Sequence, residues 1–311
     1  MRPVTQRRAG LNAGFQYSEH IGPAAAGLTV LAHLSARYRH SPESTWRHRI
    51  EQGEVRLDGA TAQSHDVLRA GQSLAWRRPP WEEPAVPLSF ALLHRDAHLL
   101  AVAKPRGLPS IPHGGLYLTH TLVHVVRRHW PEASPVHRLG RGTSGLLLMA
   151  RTPEARRALA AAWRHGQVEK TYRALVSGAP DRETFSIDQP IGPVSHPRLG
   201  EVHAVSPRGK PSLTHVRRLE FRNGETLVQI EIPTGRPHQI RIHLAAAGHP
   251  LVGDPLYVAG GLPGPDPGLP GEGGFWLHSW RLRLRHPITD EPLEIECAPP
   301  PPLRSGELGR F

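Results

Sequence analysis

The chain has 311 residues, 38% of them hydrophobic, and a formal net charge of +11 at pH 7. That length and apolar content exclude a disordered polypeptide and allow one large domain, or a large one and a small one, each with a core. The basic excess points to a polyanionic partner, because neutralising phosphates releases counterions, and the single cysteine, Cys297, excludes an internal disulfide and a cysteine-rich zinc site.

Residues 1–24 are polar and Arg-bearing, have no apolar signal core, and run into Gly22-Pro23-Ala24-Ala25-Ala26-Gly27; a flexible tail is expected there. From Leu28 the spacing of Leu28, Leu31, Leu34 and Tyr38 predicts a helix, and Ser41-Pro42-Glu43-Ser44 opens a second one carrying Trp46, Arg47, His48, Arg49 and Ile50. Residues 53–59 predict a short strand ending in an Asp-Gly turn, and 68–76 a turn followed by another strand. Together 25–78 form a small α/β module in which Arg47 and Arg49, beside an aromatic, suit RNA binding. Four prolines in residues 79–87 break both periodicities and predict a linker.

The main domain is expected over 88–303. Paired strands are predicted at 90–93 and 98–103, then Lys104-Pro105-Arg106-Gly107-Leu108, then a helix within 119–130. Val136-His137-Arg138-Leu139-Gly140-Arg141-Gly142-Thr143-Ser144-Gly145 follows, a turn rich in glycine, cations and hydroxyls that feeds an apolar strand. Loops on a rigid edge of this kind carry function. An Ala/Arg-rich helix is predicted at 153–163, a strand at 169–178, several short strands over 181–233, a Gly/Pro-rich loop at 258–274 and closing strands at 275–284 and 286–296, before a tail at 304–311. Lys occurs only at Lys104, Lys170 and Lys210 in an otherwise Arg-based chain, so these three are expected where an ammonium cannot be exchanged for a guanidinium.

The central string resembles the signature of the RluA-type family of RNA pseudouridine synthases, whose members read His-Arg-Leu-Asp, two further residues, then Thr-Ser-Gly and an apolar run. Lys104-Pro105-x-Gly107-Leu108 resembles that family's first motif, Lys170-x-Tyr172-x-Ala174-Leu175-Val176-x-Gly178 its second, and residues 234–257 its third almost position for position. Residues 25–78 resemble, more loosely, the alpha-L RNA-binding module named after a ribosomal small-subunit protein, which often precedes synthase domains in this family. The resemblance implies an α+β fold: a mixed/antiparallel β-sheet catalytic domain with flanking helices, preceded by the small RNA-binding module.

It also implies roles. Isomerising uridine requires cleaving its bond from ribose to nitrogen, rotating the base and rejoining it through carbon, and the base must first leave its stack. Arg138 matches the residue that enters the vacated stack, Tyr172 the residue that stacks on the extruded uracil, and Arg241 the partner of the catalytic Asp; these are the expected catalytic residues. His137, Arg141, Thr143 and Ser144 match positions that brace the loop or contact RNA, while Ile240 and His238 are expected beside the base. His238, Arg241 and His243 are expected along one wall of the cleft. The departure lies at the centre: Gly140 stands where the family has its catalytic Asp, and Gly142 where a second Asp is often found. Arg241 is therefore expected to lack its carboxylate, with Asp254 a weak substitute at a position that the family uses structurally.

The expected function is isomerisation of uridine to pseudouridine in structured RNA, rRNA or tRNA. The alternative is an RNA-binding protein on a synthase scaffold without catalysis. No cofactor or metal is implied, no apolar run reaches the ~20 residues of a membrane span, and a cytoplasmic monomer is expected.

Overall fold

The computed structural model describes residues 11–112, 115–264, 268 and 273–306 and divides into two compact units, one reaching to Glu83 and the other starting at Pro84. That division falls inside the stretch 79–87, which has no regular secondary structure.

The first unit contains β1 (Phe15–His20), α1 (Val30–Arg37), α2 (Glu43–Glu51), β2 (Val55–Leu57), β3 (Ala60–Thr61) and β4 (Ser73–Arg78), with the strands in the order β1-β4-β2-β3. Thr29 caps α1 by accepting from the Ala32 amide. Val30, Leu31 and Leu34 of α1 meet Trp46 and Ile50 of α2 and Leu68 and Leu74 in one small core. The strand Phe15–His20 lies inside the stretch expected as a flexible tail and corrects that expectation from residue 15 onward. It forms because β4 supplies a six-residue antiparallel partner, from Phe15↔Arg78 to His20↔Ser73, which no local propensity announces. Residues 1–10, also assigned to the tail, lie outside the described residues, as do 307–311 of the expected C-terminal tail.

The second unit is built on a mixed sheet. Its elements are β5 (Ala91–Arg95), β6 (Leu99–Lys104), α3 (Leu122–Arg127), β7 (Ser134–Pro135), β8 (Ser144–Ala150), α4 (Pro153–Arg164), β9 (Glu169–Ser177) and β10 (Thr184–Asp188). There follow β11 (Ile191–His196), β12 (Gly200–Val205), β13 (Leu213–Arg222), β14 (Glu225–Glu231), α5 (Gln239–Ala246), β15 (Leu277–Arg285) and β16 (Pro292–Glu296). The main sheet runs β10-β13-β14-β9-β15-β8-β6-β5, with β7 on β8 and β16 on β15, while β11 and β12 pair separately. All its pairings are antiparallel except β15 with β8. This is the α+β, mixed/antiparallel architecture that the sequence implied.

The central strand shows why its sequence is apolar without alternation. Leu147 and Met149 of β8 enter the cluster on one face, while Leu146, Leu148 and Ala150 enter the cluster on the other, so both faces are covered and the run 146–150 is apolar throughout. Gly145 lies where β8 meets β15. Its φ is +109°, and a Cβ there would sit 2.2 Å from the Ser279 carbonyl oxygen, so the strand crossing admits only glycine. On the far side of β15, the buried Cys297 donates its amide to the Trp280 carbonyl at 2.7 Å and accepts from His278 Nε2 at 2.9 Å. No helix among the described residues is long and apolar enough to cross a membrane.

Candidate active site

The turn between β7 and β8 is fixed at nearly every residue. His137 Nε2 accepts from the Leu148 amide at 2.9 Å and its ring stacks on Trp163 at 4.8 Å. Burial drives that imidazole down to about 3, so it stays neutral and braces the strand. The Ser110 hydroxyl donates to the Leu139 carbonyl at 2.8 Å and accepts from the Leu139 amide at 3.1 Å, pinning the middle of the turn. Leu139 is thereby buried while Arg138 and Gly140 on either side are exposed. Thr143, also buried, closes the turn through its amide onto the Gly140 carbonyl, and the Ser144 hydroxyl bonds His278 Nδ1 at 2.9 Å. Because His278 Nε2 carries the hydrogen given to Cys297, Nδ1 is the acceptor and Ser144 the donor. His137, Thr143 and Ser144 therefore hold the loop and present little to a ligand.

Arg141 is tied sideways, Nη1 donating to the Tyr117 hydroxyl at 2.9 Å. Its carbonyl receives the Gly107 amide at 2.8 Å and Lys104 Nζ at 3.3 Å. Lys104 is buried and also donates to the carbonyls of Pro105, 2.9 Å, and Leu108, 2.6 Å. Burial, helped by the Arg141 charge, lowers its pKa to about 7, while three carbonyls match the three hydrogens of an ammonium. A planar guanidinium cannot converge on three oxygens around one nitrogen, which accounts for lysine here. The same expectation fails at Lys210, whose side chain is exposed.

β9 carries Tyr172, His238 caps α5, and the first turn of α5 carries Ile240 and Arg241. Leu139, Tyr172, Ile240 and Phe275 belong to one buried cluster. Tyr172 is 7% exposed, and burial raises its phenol to about 12. The Arg241 guanidinium lies over two rings, 4.5 Å from the centre of Phe275 and 5.0 Å from that of Tyr257.

Arg241 does not lack a carboxylate. Its Nε donates to Asp254 Oδ2 at 2.7 Å and its Nη2 to Asp254 Oδ1 at 2.6 Å, with both side chains almost wholly buried. Asp254 Oδ1 also accepts from the amides of Leu256, 2.9 Å, and Tyr257, 3.1 Å. This corrects the expectation of an uncompensated guanidinium. The pair is bidentate and the acid saturated, so Asp254 is a holding group and could attack a substrate only by leaving Arg241 bare.

His238 sits at φ 56° just before α5, in the left-handed region that turns the chain into the helix. Its Nδ1 meets the Tyr257 hydroxyl at 2.9 Å, and that hydroxyl gives its own hydrogen to the His203 carbonyl at 2.8 Å, so Nδ1 is the protonated nitrogen. Burial first, then the charge of Arg241, lowers His238 to about 3, and Arg138 is near enough to add to the effect. His243 is not on this wall. It is fully buried, bonded through Nδ1 to Thr214 Oγ1 and through Nε2 to the Gln189 carbonyl, which corrects its expected place.

Arg241 and His238 are thus linked through Tyr257, and Arg241 also meets Phe275, two aromatics whose part in the site carries no signal in the sequence. The 13-residue spacing of Arg241 and Asp254 carries no hint of their pairing. Arg47 and Arg49 belong to the other unit, where Arg47 pairs with Glu43 at 2.7 Å and Arg49 lies between two tryptophans. The described residues contain no group of three or more His, Cys, Asp or Glu placed to hold a metal.

The geometry has clear relatives. A family model described as RNA pseudouridylate synthase matches residues 98–246. A Synechocystis protein named an uncharacterised RNA pseudouridine synthase is 42% identical over 282 residues, covering 90% of this chain and 97% of its own. The ribosomal large subunit pseudouridine synthase D of Nitrosomonas europaea is 36% identical over 297 residues, covering 88% of this chain and 82% of its own. Among solved structures, human RNA pseudouridylate synthase domain containing 1 superposes with a TM-score of 0.56 at 26% identity, covering 71% of this chain and 89% of that one.

Proposed function

Because the chain belongs to the RluA-type RNA pseudouridine synthases, we propose that it isomerises uridine in structured rRNA or tRNA, with glycine at position 140. The observation that supports the reading is that Arg241, held by Asp254, lies over Phe275, the ring that packs against Gly142 of the turn, while the charge of Arg138 reaches His238. The exposed Arg138 guanidinium is a planar cation able to fill the gap that an extruded base leaves and to bond phosphate. Tyr172 and Ile240 give the base an apolar floor, and stacking on an aromatic face is worth ~1–3 kcal/mol whatever the base. Asp254 fixes Arg241 so that its charge is aligned before substrate arrives.

The step that needs an attacking or proton-shuttling carboxylate cannot use residue 140, so this reading requires an acid other than the one in the family signature. Loss of a nucleophile costs about 10⁶-fold in a well-studied hydrolase, which makes the requirement severe. The alternative is RNA binding without chemistry. Glycine at 140 and the saturated state of Asp254 favour it.

The two separate in one experiment. Purified protein is incubated with unmodified transcripts of large-subunit rRNA and of tRNA, and pseudouridine is scored by cyanoethylation and mass spectrometry. The isomerase reading expects conversion at a discrete uridine by the unaltered protein. Conversion by Gly140→Asp alone, with none by the unaltered chain, would overturn it in favour of binding.

A further inference from the structure

The loop that follows β12 presents three cations that no acid answers. Arg208 and Lys210 are exposed, and the Arg236 guanidinium is drawn to the same loop, its Nε and Nη2 donating to the Pro211 carbonyl at 3.3 Å and 3.1 Å. Among the described residues none of the three forms an ion pair. Elsewhere on this chain exposed arginines find a carboxylate, as Arg47 does on Glu43 and Arg157 on Glu154. Charge of one sign gathered on neighbouring side chains opposes the compact state, and a bound polyanion offsets it.

The loop is also held still. The Gly209 amide donates to the Ser206 carbonyl at 2.8 Å, closing a turn over Pro207 and Arg208, and Lys210 and Ile191 exchange backbone bonds at 2.9 Å and 3.0 Å. A Cβ on Gly209 would stand 2.4 Å from the Ile191 carbonyl carbon, and one on Gly192 2.9 Å from the Gly209 Cα, so the two backbones meet with no room for a side chain. Pro207 and Pro211 further restrict the backbone beside Arg208 and Lys210. Little backbone entropy is left for a ligand to remove.

The anchor of this loop is shared with the site. Ile191 lies in one buried cluster with Tyr257, the ring that bonds His238 and meets the Arg241 guanidinium. Arg236 stands two residues before His238, which puts at most roughly 7 Å between their Cα atoms. The Gln239 side chain accepts from the Arg236 amide at 3.0 Å and donates to the Leu213 carbonyl at 2.8 Å, tying the two stretches together.

We propose that Arg208, Lys210 and Arg236 form a rigid phosphate-binding shelf that grips the RNA backbone beside the nucleotide taken into the site. Cations bind phosphate whatever base it carries, so the shelf sets the register of the RNA and does not read its sequence. The shelf deepens the RNA reading above and rests on it for the class of partner. An acidic protein is the rival occupant; the place of the loop, next to His238, favours the phosphates of the substrate.

The test uses the full-length protein and a fluorescein-labelled, unmodified RNA stem-loop, read by anisotropy over a series of salt concentrations. Arg208→Gln with Lys210→Gln is expected to flatten the slope of log affinity against log salt by about 1.4 to 1.8, the value for two phosphates, and to weaken binding alike for stem-loops of different sequence. Arg236→Gln reads the shelf independently, with a flattening of about 0.7 to 0.9. Arg208→Lys with Lys210→Arg keeps both charges and is expected to bind as the unaltered protein does. Arg156→Gln with Arg164→Gln removes the same charge from exposed positions of α4 and is expected to leave the slope unchanged.

An unchanged slope in the first variant overturns the proposal, and so does an equal flattening by the α4 variant, which would reduce the effect to net charge. Labelled polyglutamate that binds as tightly as the RNA, and is lost with the same two changes, would assign the shelf to an acidic protein. Pseudouridine formation is scored separately. A chain that forms none yet shows the flattened slope keeps the shelf and loses the isomerase; one that forms it, with the slope unchanged in the first variant, keeps the isomerase and loses the shelf.

Discussion

Lys104 reaches from the end of β6 to the Arg141 carbonyl, so the first sequence motif holds the backbone of the central turn. Lys104→Met removes a donor shared by three carbonyls, of which that of Arg141 keeps the Gly107 amide. Each carbonyl left without a donor costs about 1–3 kcal/mol. Destabilisation on the order of 3 kcal/mol is expected in urea unfolding, and a loss under 1 kcal/mol would refute the bracing role.

The Arg241–Asp254 pair should behave as one buried unit. Asp254→Asn strips the charge from one side and is expected to cost about 3–5 kcal/mol, because it leaves a desolvated guanidinium uncompensated. Arg241→Met with Asp254→Leu is expected to cost less than the single change. A double-mutant cycle with no coupling between the two positions would contradict the geometry.

Position 142 answers differently from position 140. A Cβ on Gly142 would lie 2.8 Å from Phe275 Cζ and 3.0 Å from the Gly273 Cα, so Gly142→Ala should lower stability by about 1–3 kcal/mol through overpacking. A Cβ on Gly140 meets Thr143 Oγ1 at an ordinary 3.7 Å. Gly140→Asp is therefore expected to fold with its melting temperature almost unchanged. Thermal melts of the two variants check the contrast, and equal melting temperatures would count against it.

Two imidazoles set an acid limit. His137 and His238 titrate near 3 in the folded chain, against 6.5 for the free side chain, burial being the main cause in both. Between those values the unfolded chain binds more protons, so stability falls as pH drops below about 6.5 and keeps falling until about 3. Urea midpoints measured from pH 7 to pH 4 should decline steadily, and the decline should shrink in His137→Gln. A flat profile would show that neither imidazole is held neutral.

How much of this could be read from the residues depends on the kind of signal. The strand β8 was visible because burial on both faces writes itself into an unbroken apolar run. β1 was invisible, since its residues are mostly exposed and its partner lies over fifty residues away. The loop at 136–145 stands out in the sequence by its glycines, cations and hydroxyls. The division of labour within it was left open: His137, Thr143 and Ser144 were expected to brace the loop or contact RNA, and their hydrogen bonds make them braces, a choice set by the tertiary fold. Arg241 stands out in the sequence and its pairing with Asp254 does not, for the same reason. Lys104 was singled out by its rarity in an Arg-rich chain, and its three carbonyl partners supply the cause.

Cys297 has a use that its burial makes possible. It is the sole sulfhydryl in the chain, and desolvation pushes its pKa to about 11, so a thiol reagent should leave the native protein unlabelled. Because its backbone is tied to Trp280 and His278 of β15, modification must await separation of the closing hairpin from the sheet. The rate at which reagent is consumed is then a clock for that local opening, built into the wild-type sequence and needing no engineered probe.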